Sequence, residues 1–211
     1  MAKESTFGNM VLSLSLICLV CAALLGLVYS VTKAPIAASE LAKVNNAIAA
    51  VTPEFDNVPS EDMTVVDGSD VYVAKKGDDT VGYAIKVQTS GFGGPLQMMV
   101  GFTPEGTIYN TSIISLAETP GLGAKITDEN SQPRKQVKDK NPETTNLTVS
   151  KDGGDIDAIT ASTITSRAFL KGVAAAYDIF KKMTSASEPA EQEAETAEAV
   201  EEQTSNAESN E

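Results

Sequence analysis

No charged residue occurs from position 5 to position 32, and the centre of that run, 10–31, is rich in Leu, Val and Ala. A helix that crosses a bilayer takes about 20 apolar residues, so the pattern predicts a transmembrane helix over 10–31 behind a short N-terminus, 1–9. The run is longer than the apolar core of a signal peptide, and no clear Ala-x-Ala site follows it closely, so it reads as an uncleaved anchor. Helical spacing resumes after Pro35 at Ile36, Leu41, Val44, Ile48 and Val51, which predicts a connecting helix over 32–52. Thr52-Pro53 ends it, because the residue before proline avoids the helical region.

The pattern then changes to runs of Val, Ile, Tyr and Thr at 71–75, 81–88, 96–102 and 107–116, which read as strands. Gly- and Asp-rich turns separate them, among them Ser90-Gly-Phe-Gly-Gly-Pro95. Connections this short imply antiparallel pairing and a meander. Residues 132–146 are polar and read as a surface excursion, and 147–151 as one more strand. Beyond them Ala168, Phe169, Val173, Tyr177, Phe180 and Met183 form an apolar helical stripe that should pack on the sheet. The fold class is α+β: one N-terminal transmembrane helix, then an antiparallel sheet domain packed with helices (53–184), then an acidic tail (185–211) that reads as disordered and solvated.

Charge supports that division. The tail carries nine Glu and no Lys or Arg; it accounts for most of the formal charge of −13 and leaves −4 for the rest. No basic footprint for nucleic acid is present. The positive-inside rule does not separate Lys3 from Lys33, on either side of the span. A short N-terminus followed by a large domain, with no Cys beyond Cys21, fits a single-pass protein of the inner (cytoplasmic) membrane whose domain faces the extracytoplasmic, periplasmic side.

The chain contains no His and no Trp, and its two Cys lie inside the apolar span, at Cys18 and Cys21. Nucleophile pairs that need an imidazole are therefore excluded, and so are imidazole metal ligands. The Cys pair reads as two small apolar residues in a membrane helix. Redox chemistry, if present, must come from a bound cofactor.

Two short stretches remain as candidate chemistry. The first is Asp157-Ala-Ile-Thr-Ala-Ser-Thr163, which opens a run of five hydroxyls (Thr160, Ser162, Thr163, Thr165 and Ser166) at the start of the apolar helix. Free N–H groups and the positive end of the helix dipole suit a phosphate there, although one or two such hydroxyls would serve as ordinary caps. The second is Glu118-Thr-Pro-Gly-Leu-Gly123. Its Pro-Gly pair suits a type II turn, and its two glycines leave bare backbone that a flat ring or a phosphate could approach.

Together these stretches resemble a family of membrane proteins that carry a covalent flavin. In its acceptor motif, Asp, two variable residues, Ser or Thr, Gly, Ala and Thr run up to the attachment point. The family includes the G subunit of the Rnf electron-transport complex and the C subunit of the sodium-pumping NADH:quinone oxidoreductase. The Rnf protein is the closer match, because the domain is compact and lacks long insertions. The resemblance implies FMN joined as a phosphodiester to Thr163 by a flavin transferase that uses FAD, with Asp157 and Thr160 helping the transferase to orient the acceptor. It implies that Glu118, Thr119, Gly121, Leu122 and Gly123 line the flavin, together with Thr160, Ser162, Ile164 and Thr165. It further implies an electron relay among the subunits of a complex that couples ferredoxin/NAD electron transfer to Na⁺ or H⁺ translocation. This chain departs from the motif at Ala161, where Gly is usual, and at Ser162, where Ala is usual. The alternative within the same chemistry is the C subunit of the sodium-pumping NADH:quinone oxidoreductase; the alternative from another class is a non-redox anchored module whose hydroxyls bind phosphate or only cap the helix.

Overall fold

The computed structural model describes residues 6–207, with side chains through Ser185. The chain divides into two units, Met1–Val44 and Asn45–Glu211. Helix α1 (Phe7–Val51) spans the division. The predicted transmembrane and connecting helices are thus one continuous helix that passes through Pro35. Proline removes one N–H donor, and the strong helix formers that follow it, Ala37, Ala38, Leu41 and Ala42, carry the helix past it. The apolar stretch of α1 is long enough to cross a bilayer, and side chains such as Leu16 and Leu25 are exposed along it. Cys18 and Cys21 are unpaired.

Five strands follow: β1 (Thr64–Val66), β2 (Ser69–Lys76), β3 (Asp79–Ser90), β4 (Pro95–Phe102) and β5 (Ile108–Leu116). They pair antiparallel in chain order, the expected meander. The hydrophobic pattern does not predict β1. Its signal is Asp67-Gly68, whose two positive φ values (50° and 77°) make the tight turn that closes β1 onto β2.

One sheet face carries Ile85, Val87, Leu96, Met98, Val100 and Phe102. On it packs helix α3 (Thr163–Ala207) through Phe169, Leu170, Val173, Tyr177 and Phe180, all buried. The Phe102 and Phe180 rings stack at 5.2 Å. The stripe predicted from helical spacing is the stripe that packs, with Met183 partly buried at its end. The opposite face receives the last turns of α1, where Ala47, Ile48 and Val51 are buried. Gly101 permits this contact: a β-carbon there would lie 1.6 Å from the Val51 carbonyl oxygen.

Two expectations are corrected. Residues 147–151 form no strand. Val149 makes a single parallel bridge to Ile156, and Ser150–Asp152 is a 3-10 turn. The segment folds back on itself, because the Asp155 carboxylate accepts from Asn146 N and Gly153 takes a left-handed φ of 84°. The polar excursion 132–146 contains helix α2 (Gln132–Val137), which buries Pro133, Arg134 and Val137. The Arg134 guanidinium donates to the Thr111 hydroxyl at 3.2 Å, to the Thr127 carbonyl at 2.6 Å and to the Thr111 carbonyl, and so joins α2 to β5. Burial lowers its pKa, with Glu129 acting the other way. The reading of 185–211 as disordered falls mostly on residues whose side chains are not described; the α3 backbone continues through Ala207.

Candidate functional site

The hydroxyl run builds the start of α3. Ser162 occupies the cap position: its carbonyl accepts from Ser166 N at 3.0 Å, and its own N–H donates to the Ile159 carbonyl at 2.9 Å. Ser166, fully buried, fastens this turn. Its Oγ accepts from Ile159 N and donates to the Ser162 carbonyl, each at 3.0 Å. Thr163 is the first helical residue. Ala161 sits at φ 61°, a left-handed conformation that favours glycine. The Ser162 hydroxyl is buried and has no hydrogen-bond partner among the described residues. Capping is therefore not what this hydroxyl does, although Ser is a preferred cap residue.

Asp157 is anchored before this turn. Its carboxylate accepts from Ser150 Oγ at 2.7 Å and Gln136 Nε2 at 3.0 Å, and its N–H donates to Gln136 Oε1 at 2.6 Å. These bonds hold its carboxyl below the ordinary value, the Gln136 bond first.

The 118–123 loop follows β5. Leu122 N donates to the Thr119 carbonyl at 3.2 Å across Pro120-Gly121, and Gly121 takes φ 77°, the conformation a Pro-Gly type II turn demands. Glu118 is buried, and its Oε1 accepts from Phe92 N at 2.7 Å. A β-carbon on Gly123 would lie 2.6 Å from Glu118 Oε2 and 2.7 Å from Thr165 Oγ1, so glycine lets these two side chains close around the loop, and a larger residue there would have to displace them.

The two stretches, about 40 residues apart in sequence, meet in one cleft of about 410 Å³. Glu118, Thr119, Leu122 and Gly123 line one side; Ser162, Thr163, Ile164 and Thr165 line the other. Eight of the ten sequence-predicted residues therefore come together. Gly121 shapes the turn and Thr160 the bend before α3, and neither lines the cleft. Two lining residues lie outside the predicted set. Ala161 lines the cleft through its unusual backbone, and Phe92 enters from the β3–β4 loop. Phe92 had a signal in the sequence: it is an aromatic set among glycines. The mouth is apolar, with Phe92 68% exposed, Ile164 50% and Leu122 43%. Among the described residues no group of His, Cys, Asp or Glu could hold a metal. The arrangement suits a ligand with one anionic end at the helix start and one flat apolar end.

The FMN-binding domain family matches residues 91–178, the stretch that holds Phe92 and both motifs. The RnfG N-terminal region matches 5–51, which is essentially α1. The chain is 34% identical over 165 residues to the G subunit of the proton-translocating ferredoxin:NAD(+) oxidoreductase complex of Clostridium ljungdahlii, covering 76% of this chain and 84% of that protein. This chain belongs to the family of Rnf G subunits. The G subunit of the Na(+)-translocating ferredoxin:NAD(+) oxidoreductase complex of Acetobacterium woodii is 31% identical over 62% of this chain and 69% of its own length. The G subunit of the ion-translocating oxidoreductase complex of Stutzerimonas stutzeri is 31% identical over 83% and 81%. The likeness of this chain to the Rnf G subunits thus extends beyond two short motifs to the anchor and to most of the domain. The cleft residues fit an FMN: a helix start whose Ser162 hydroxyl has no partner among the described residues faces a loop that turns at Gly121, φ 77°, and passes close to Thr165 at Gly123.

Proposed function

We propose that this chain is the membrane-anchored flavoprotein subunit of an Rnf-type complex, with FMN joined covalently to Thr163. One observation carries the reading: the acceptor-like motif and the Pro-Gly loop, distant in sequence, line one cleft of about 410 Å³ with Thr163 at its helical edge. Bound there, FMN would supply the one- and two-electron redox chemistry that the side chains lining the cleft do not carry.

Each residue then has a task. Thr163 Oγ1 is the acceptor hydroxyl. In maturation by a flavin transferase its bond to phosphorus forms, the pyrophosphate bond of FAD breaks, AMP leaves and the hydroxyl proton passes to solvent. The first N–H groups of α3 and the dipole behind them favour the single negative charge of the phosphodiester. Phe92, Leu122 and Ile164 give a flat ring apolar contact at the mouth. Glu118, held by Phe92 N, and the glycines at 121 and 123 keep the facing loop close. An exposed mouth suits electron exchange with neighbouring subunits, and the covalent tether prevents loss of the cofactor. With one span, the chain contributes an anchor to a complex that couples ferredoxin/NAD electron transfer to Na⁺ or H⁺ movement. Its domain faces the periplasmic side.

Intact mass of the full chain, purified from membranes of a host containing the transferase, tests the reading. A mass increased by one FMN, lost in Thr163→Ala together with in-gel flavin fluorescence, supports it. A native mass without that increment sinks it. Reactivity of a single Cys placed on the domain surface towards an impermeant maleimide in whole cells tests the orientation.

A further inference from the structure

Arg167 lies one turn after Thr163 on α3, an i, i+4 pair whose β-carbons are neighbours about 6 Å apart on one helix face. Long side chains on a helix lean back towards its N-terminus, which for Arg167 means towards Thr163. One carboxylate holds the guanidinium side-on: Nε donates to Asp152 Oδ2 at 2.7 Å and Nη2 to Asp152 Oδ1 at 2.8 Å. Asp152 ends the Ser150–Asp152 turn, which Ser150 Oγ ties to Asp157 at 2.7 Å, so the plane of the guanidinium is set by the same framework that sets the acceptor motif.

That pairing uses Nε and one N–H of Nη2. The other N–H of Nη2 and both of Nη1 remain: a second fork whose geometry matches two oxygens of a phosphate. Among the described residues Nη1 has no partner, and the side chain is 49% exposed, so this edge is open. The same helix end holds the Ser162 hydroxyl, 7% exposed and unpartnered. The charges near it include three carboxylates, Glu118 in the cleft and Asp152 and Asp157 in the segment before the helix, and the Lys151 ammonium, which acts on Asp152. The helix dipole supplies only about half a charge against an added anion.

We propose that Arg167 is the positioning residue for the phosphodiester at Thr163. Its free Nη1/Nη2 edge receives the phosphate oxygens, and Asp152 on its other edge fixes its plane. The inference rests on the covalent-flavin reading above. A cation at 167 without the fork, as in Lys, retains charge but not the bidentate geometry.

The test uses the full chain co-expressed with the transferase, as wild type, Arg167→Gln, Arg167→Lys and Asp152→Asn. Two quantities are read: the initial rate of FMN attachment by intact mass, and the phosphorus-31 resonance of the attached phosphodiester. Arg167→Gln should slow attachment by at least about tenfold, the loss of one charge-assisted hydrogen bond, and should move the resonance. Arg167→Lys should recover part of the rate. Asp152→Asn breaks the same ion pair but retains the cation, so its loss should be several-fold smaller. Equal loss in Arg167→Gln and Asp152→Asn with an unmoved resonance would reduce Arg167 to a structural partner of Asp152 and overturn the inference alone. Wild type without FMN on Thr163 would overturn the covalent reading and this inference with it.

Discussion

Glu118 Oε1 accepts a 2.7 Å hydrogen bond from the backbone N–H of Phe92, and this bond joins the two loops that form one wall of the cleft. Glu118→Ala leaves that N–H without its charged partner, in a part-buried place. The expected cost is about 1.5–3 kcal/mol, read as a lower unfolding midpoint of the full chain in detergent. Glu118→Gln retains an acceptor oxygen and should keep most of the stability.

The cap residue of α3 should respond to substitution in reverse of the usual sense. Replacing a Ser cap by Ala ordinarily costs about 1 kcal/mol. Here the Ser162 hydroxyl is buried without a partner, so Ser162→Ala removes an unsatisfied group. In a Thr163→Ala background, which excludes the flavin, this change should raise stability by about 1 kcal/mol. A lower midpoint would show that the hydroxyl does cap the helix.

Ala161 holds φ 61° immediately before the cap. Glycine adopts that conformation without strain but loses more backbone entropy on folding. Ala161→Gly should therefore stabilise the domain by a net of about 0.5–1 kcal/mol. Chemical unfolding curves of the two proteins check this directly.

Gly101 lets the end of α1 lie on the sheet. A β-carbon there meets the Val51 carbonyl oxygen at 1.6 Å, a backbone atom that no rotamer change can move away. Gly101→Ala should cost about 3 kcal/mol and should raise hydrogen exchange in residues 45–52 before it does so in α3.

The acid limb of stability should depend on Asp157. Its carboxyl is held below the ordinary 3.8 by its bonds to Gln136 and Ser150. A carboxyl depressed in the folded state stabilises above its unfolded pKa, and that contribution is lost as pH falls through the folded value. Stability should thus decline below about pH 4. Asp157→Asn should be less stable at neutral pH and show a shallower decline below about pH 4. It should not be flat, because Asp152, held low chiefly by its hydrogen bond from Arg167, titrates in the same window.

Local pattern was enough for much of this chain. An uncharged run of adequate length specifies a bilayer-crossing helix. Alternating β-branched strands joined by short turns can only pair antiparallel, and the stripe from Ala168 to Phe180 is the face of α3 that packs. Pro120-Gly121 and the five hydroxyls marked the two halves of the cleft, because turn chemistry and helix-start chemistry are local. The strand expected at 147–151 failed for the converse reason: its residues suit a strand, but the Asp155 and Gly153 contacts that fold it back lie outside its own window.

By itself, then, the sequence determined the elements, their order and the residue types able to hold an anionic group, since each depends on side chains a few positions apart. The tertiary structure decided which of them meet. It brought Glu118–Gly123 against Ser162–Thr165, with no room for a β-carbon at Gly123 unless side chains shift, and added Phe92 from a third loop. It left the Ser162 hydroxyl without a partner, and it fixed the Arg167 plane against Asp152. Those relations depend on backbone approach across the sheet and helix, which no spacing along the chain encodes.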